Sequence, residues 1–357
     1  MKALVFAVIL FFICMSIPSS TAFDNVKKSS MPVSNGNTLY VGGSGEGNYS
    51  KIQDAIDNAS NGDTVFVYDG TYYENIVVDK TINLIGEDKN KTSIDGQGNG
   101  NVVEIYAQLT TLSGFSIKNN NNETLRDGIV IFSNNNIVIN NKILNNSIGI
   151  TVWGINNTFS YNKISENFKG LYVLNSSNNI IENIIYSNEG FGIDLGMSTC
   201  NIILKNEISN NRNGISLSYS DNNTISYNFI WNNSEGIPNY KSHNNNFSYN
   251  HIFLNEFDGI DLYESNKNII YKNNFSNNRQ SIKIYGSDNN VILCNNFYHN
   301  RLNPFFQKCN DTKWEDNYWD RPRNLPKLLF GLKGYFGLFP WLNFDWHPAQ
   351  EPYDIGI

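Results

Sequence analysis

Asp258 and Asp261 flank the start of one apolar stretch, with Glu256 and Glu264 close by. Paired carboxylates are the minimum for glycoside hydrolysis and for proton abstraction from a sugar ring. The same cluster is also the type of oxygen set that holds calcium weakly. Cys294, His299 and Cys309 are donors of the kind copper prefers, and they fall close together in sequence. No histidine or cysteine pair has the spacing that places two ligands on one element. Trp153, Tyr240, Tyr263 and Tyr285 each stand four residues after a repeated glycine or the serine that replaces it, and Tyr172 two residues after one. Aromatic side chains spaced along a rod offer faces for sugars, or simply support one another.

What positions these residues is a repeat. Glycines at 128, 149, 170, 192, 214, 236 and 259, with Ser281 in the eighth place, open units of 21 to 23 residues. Each unit carries asparagine at three fixed places. The middle series runs Asn141, Asn162, Asn183, Asn206, Asn228, Asn250, Asn273 and Asn295, with an asparagine five residues before and five after every member. Apolar residues sit two places after the first and second asparagines, as in Ile225 and Ile230. Each fragment is too short for a helix and has strand period. A 22-residue unit cannot bury its own apolar side chains, so the units must stack.

The pattern predicts an all-β right-handed parallel β-helix with three strands per coil. Glycine and asparagine are expected to supply left-handed backbone at the corners, and stacked amides to form ladders along the axis. Asp194 and Asp261 then lie on one sheet, three coils or about 14 Å apart, too far to act as a pair. Residues 64–300 form the coils, regular from 128, and 118–127 bulge as a loop. Ile52, Ala55, Ile56 and Ala59 have helical spacing, so 23–63 hold an N-terminal segment and a helix that covers the open end. The aromatic and proline-rich segment 301–357 forms a C-terminal cap.

Residues 1–22 read as a signal peptide: Lys2, an apolar run from Leu4 to Ile13, and small residues at Ser20 and Ala22. The expected location is secreted or cell-surface, with no transmembrane span in the mature chain. Charged residues are 17% and the formal net charge is -7, so nucleic acid is not an expected partner. Polarity comes instead from 63 asparagines.

Residues 149–169 (GITVWGINNTFSYNKISENFK) resemble the β-helix repeat of the NosD-type periplasmic copper-binding protein family. The WEDNYWD segment at 314–320 resembles the ending that follows such repeats in secreted archaeal members. Residues 52–87 look like the N-terminal cap and first coil of pectin-lyase-like proteins. These resemblances imply the fold; they transfer no activity.

The sequence alone favours a non-catalytic structural protein that contacts a cell-surface or environmental glycan, with Trp153, Tyr172, Tyr240, Tyr263 and Tyr285 as the binding residues. The alternative is a polysaccharide lyase, glycoside hydrolase or epimerase using Asp258 or Asp261. A third reading, copper handling through Cys294, His299 and Cys309, follows from the family resemblance. Two carboxylates within about 9 Å beside a groove would favour the enzyme.

Overall fold

The computed structural model describes residues 36–119, 126–333 and 339–356. The leader expected at 1–22 and most of the loop expected at 118–127 lie outside the described residues.

The chain coils into the expected parallel solenoid. Short strands alternate among three sheets, and each strand pairs with its copy one coil on. The first sheet has 13 strands, the second 12 and the third 13. Pairing is parallel throughout the coils, and its register follows the sequence repeat: Ile225 lies beside Ile203 and Phe247, and Ile230 beside Ile208 and Ile252. All of these side chains are fully buried. The core is a set of apolar columns, each stacked on itself along the axis.

The coils extend past both expected limits. The first strand, Thr38–Val41, precedes the helix and pairs with Thr64–Val67. A helix, α1 (Ile52–Asn58), buries Ile52, Ala55 and Ile56 against the first strands. At the other end Lys313–Glu315 and Tyr318–Trp319 continue the first and second sheets, so Trp314 and Trp319 enter the core. Among the described strands only the last pair, Lys327–Lys333 with Phe339–Asp345, is antiparallel.

The corners explain the composition. Asn228 is fully buried, and its Oδ1 accepts from the backbone N–H and side-chain amide of Asn206 at 2.9 and 3.0 Å. Its own amide donates to the carbonyls of Ile203 and Ser226 and to Asn250 Oδ1. The asparagine side chain thus satisfies backbone groups that a buried corner would leave unpaired.

One expectation is displaced by a residue. The left-handed position is not the ladder asparagine but its predecessor, often itself an asparagine, as at Asn222 and Asn232, but also Tyr161, Tyr227, Cys294 and His299, with φ between 47° and 58°. A left-handed residue costs about 1 kcal/mol, and the hydrogen bonds of the following amide offset it. Nor do the opening glycines serve by φ, which is not positive there. A Cβ on Gly214 would stand 2.6 Å from the carbonyl oxygen of Gly236, so the reason is close backbone approach.

A second ladder was not anticipated. Ser176, Ser198, Ser220, Ser242, Ser265 and Ser287 stack where the third sheet turns into the first, each hydroxyl accepting from the backbone N–H of the serine before it. Cys309 takes the next place. Its thiol donates to Gln307 O and Ile284 O, just as the Ser287 hydroxyl donates to Tyr285 O and Leu262 O.

Candidate functional site

The outer face of the third sheet is where the repeat stops repeating. Inward positions of its strands stay apolar, mostly Ile, Leu or Val as in Ile260 and Leu262 of Asp258–Tyr263, with buried Asn239 an exception one coil earlier. The residues between them point outward and differ from coil to coil. Three outward rows result: the residue before each opening glycine, the residue two after it, and the residue four after it.

Asp258 and Asp261 stand in the first two rows of one strand. Lys283, paired with Asp261 on the next strand, joins them: its Nζ lies 2.8 Å from Asp261 Oδ2 and 3.6 Å from Asp258 Oδ2. Laid end to end, those distances put the two carboxylate oxygens at most about 6.4 Å apart. Glu235, before Gly236, is the neighbour of Asp258 one coil earlier, as the pairing of Ile237 with Ile260 requires. Burial pushes the Asp258 carboxyl up to about 6; Lys283 opposes the shift, and the charges of Asp261 and Glu235 add to it. Glu235 is also raised, by burial first and by Asp261 second. Asp261 Oδ1 is buried and accepts no hydrogen bond from the protein.

Beside the first row the second sheet turns into the third. There Glu189, Arg212, Ser234 and Glu256 help line an open depression of about 620 Å³. On the other side runs the third row, where Tyr240, Tyr263 and Tyr285 stack at centroid distances of 5.5 and 4.9 Å. The carboxylates therefore sit between a polar depression and a tyrosine ladder. The tyrosines cover one another's faces, so the ladder presents ring edges and hydroxyls more than open platforms.

The remaining sequence candidates lie elsewhere. Asp194 is three coils away from Asp261, with Lys169 Nζ at 2.7 Å from its Oδ2. Tyr172 lies under that ammonium, 4.1 Å from the ring centroid, which covers one of its faces. Trp153 is exposed on the third row, near the stacked pair Tyr106 and Phe132. Glu264 pairs with Lys241 at 3.4 Å. The place a calcium ion would take between Asp258 and Asp261 is filled by the Lys283 ammonium.

Cys294, His299 and Cys309 do not converge. Cys294 follows a strand of the first sheet, His299 one of the second and Cys309 one of the third, so each stands at a different corner. Among the described residues no three His, Cys, Asp or Glu side chains group closely enough to hold a metal ion. The donor set does not fit a copper centre.

Sequence reasoning missed Glu235 and Lys283. Both were accessible by counting: Glu235 precedes an opening glycine as Asp258 does, and Lys283 follows Asp261 by one repeat length.

No curated protein matches the sequence. Among solved structures the chain is similar to the A-module of a mannuronan C-5 epimerase from Azotobacter vinelandii, at TM-score 0.56 and 14% identity over 74% of this chain and 94% of that one. It is similar to the enzymatically active domain of tailspike protein 2 of bacteriophage CBA120, at 0.58 and 13% over 71% and 48%. It is also similar to a lacto-N-biosidase from Eubacterium ramulus, at 0.50 and 12% over 78% and 65%. At such identities the likeness is one of fold. All three are nevertheless named as enzymes, a mannuronan epimerase, an enzymatically active tailspike domain and a lacto-N-biosidase, which corrects the expectation of a purely structural, non-catalytic role. The family model described as periplasmic copper-binding protein (NosD) matches residues 56–257 and 156–324. With that much of its 357 residues matched, the chain belongs to the NosD family.

Proposed function

We propose that this protein is a carbohydrate-active enzyme that acts on a polysaccharide at the outer face of its third sheet. Asp258 is the proton carrier and Asp261 its partner carboxylate. One observation carries the reading: a carboxyl raised to about 6 stands within about 6.4 Å of a second carboxylate. Glycosidase carboxyl pairs are separated by about 5 to 9.5 Å. A carboxyl with that affinity for protons can give and retake one near neutral pH.

The flanking elements supply the rest. Hydroxyls of Tyr240, Tyr263 and Tyr285 lie along the direction a glycan would follow across the coils, and Trp153 offers an exposed ring farther on. The names of the solved neighbours support a polysaccharide substrate, and the periplasmic description of the family supports an exported location. No helix among the described residues is long and apolar enough to cross a membrane.

The test is to incubate the full chain with acidic and neutral polysaccharides, with and without calcium. Products are read by mass spectrometry and by NMR. Hydrolysis adds one water per bond, elimination leaves an unsaturated end, and epimerisation changes stereochemistry but not mass. The proposal expects one of these from the native chain and its loss in Asp258→Asn and Asp261→Asn. A folded protein that leaves every polymer unchanged would overturn it.

A further inference from the structure

We infer that the glycan this face accepts is neutral and rich in hydroxyls, not a uronate polymer, and that the reaction is hydrolysis. The inference rests on the reading of the third sheet as a glycan-processing face. It comes from how the cations there are already committed. Lys169 is held by Asp194 at 2.7 Å, Lys241 by Glu264 at 3.4 Å, and Lys283 by Asp261 and Asp258 at 2.8 and 3.6 Å. Arg212, at the adjoining corner, shares its depression with Glu189 and Glu256. Glu235 adds one more carboxylate beside Asp258.

The site therefore holds a surplus of negative charge: three carboxylates crowd one ammonium, and burial first, with the neighbouring carboxylates adding to it, raises the Asp258 and Glu235 carboxyls. A uronate polymer would bring a further carboxylate with every sugar. Elimination and C5 epimerisation also place carbanion charge on that carboxylate, which must be met by a cation or donor at the transition state. Here the Lys169, Lys241 and Lys283 ammoniums each already face a carboxylate of the protein, and Lys308 donates to the Tyr285 hydroxyl.

The vacant valence points the other way. Asp261 Oδ1 is a buried acceptor without a donor. A sugar hydroxyl, which every glycan carries, supplies the missing proton; an ionised uronate carboxylate at that place has none to give, so the exclusion of uronates rests on the crowded charge. With a neutral glycan, Asp258 passes its proton to the glycosidic oxygen as the C1–O bond breaks. Water supplies hydroxide to C1, and its remaining proton restores the carboxyl acid.

The experiment is affinity electrophoresis of the full chain at neutral pH and low salt. The gels contain neutral polymers (dextran, mannan, galactan, xylan) or uronate polymers (polymannuronate, polygalacturonate, polyglucuronate). At least one neutral polymer should retard the protein at about tenfold lower concentration than any uronate polymer, and added salt should narrow that gap. Glu264→Gln, which releases Lys241, should narrow it about threefold. Retardation by a uronate polymer that equals or exceeds the neutral ones would overturn the inference, as would no retardation by any. Product formation separates the two claims. A uronate polymer converted by an Asp258-dependent reaction would sink the inference and leave the enzyme reading standing. A neutral polymer bound but never converted would sink the enzyme reading and the hydrolysis together, and leave only the class of glycan standing.

Discussion

Two lysines on the same sheet face, five strands apart, meet carboxylates of neighbouring strands in nearly the same way, yet only one makes a site. Lys169 forms a salt bridge with one carboxylate, Asp194, with Tyr172 and Phe191 rings beneath its ammonium at 4.1 and 5.1 Å, and its charge also reaches the half-buried Asp127. Within the salt bridge charge balances, and the aromatic rings shield the pair. Lys283 faces Asp258 and Asp261, with Glu235 close enough to raise Asp258 further. One ammonium there serves three carboxylates. The comparison teaches that residue types alone do not define the chemistry. A balanced pair fastens coils together, and an unbalanced one stores a proton.

The largest expected difference is in activity. Asp258→Asn should lower turnover of the cleaved polysaccharide by about 100-fold or more, while Asp194→Asn stays within about threefold of the native rate. Equal losses in the two variants would erase the distinction. Stability should move in opposite directions. Folded Asp258 binds its proton more tightly than the unfolded chain does, so it contributes no penalty at low pH and a growing one as pH rises from about 4 through 6. Asp258→Asn should therefore stabilise the fold by roughly 2 kcal/mol at about pH 8 and by little at about pH 4, read from urea unfolding. Asp194→Asn instead strands a half-buried ammonium and should cost about 1.5 kcal/mol at about pH 8.

Smaller still is the effect of a conservative change at the seventh place of the serine ladder. Cys309→Ser keeps both hydrogen bonds to Gln307 O and Ile284 O, and unfolding should shift by less than about 0.5 kcal/mol. A large loss, or a change in activity, would mean that Cys309 does more than close the ladder.

The fold was legible because its determinants are one-dimensional. Asn206, Asn228 and Asn250 must be identical to hand the same hydrogen bonds from coil to coil, so spacing alone exposes them. Backbone conformation was less legible. Tyr227 takes the left-handed corner because Asn228 must turn its amide inward, a constraint that asparagine meets at corners such as Asn222 and Asn232 but that other residue types also meet. The site was legible in part. Asp258 and Asp261 are neighbours in sequence, but their importance depends on Lys283 and Glu235 in adjacent coils. Only pairing across the sheet brings those four together. Cys294, His299 and Cys309 illustrate the converse: nearness in a solenoid sequence places residues at successive corners, not in one cluster.

The most direct test of the contrast is the titration of single carboxyl carbons by 13C NMR in the full chain. The account predicts that Asp258 titrates at about 6, and that Asp261→Asn with Glu235→Gln lowers it in part, burial keeping the rest of the shift. An Asp258 that titrates as an ordinary carboxylate in the native protein, or one that ignores its two neighbours, would contradict the central claim that crowded carboxylates around Lys283 make the proton carrier.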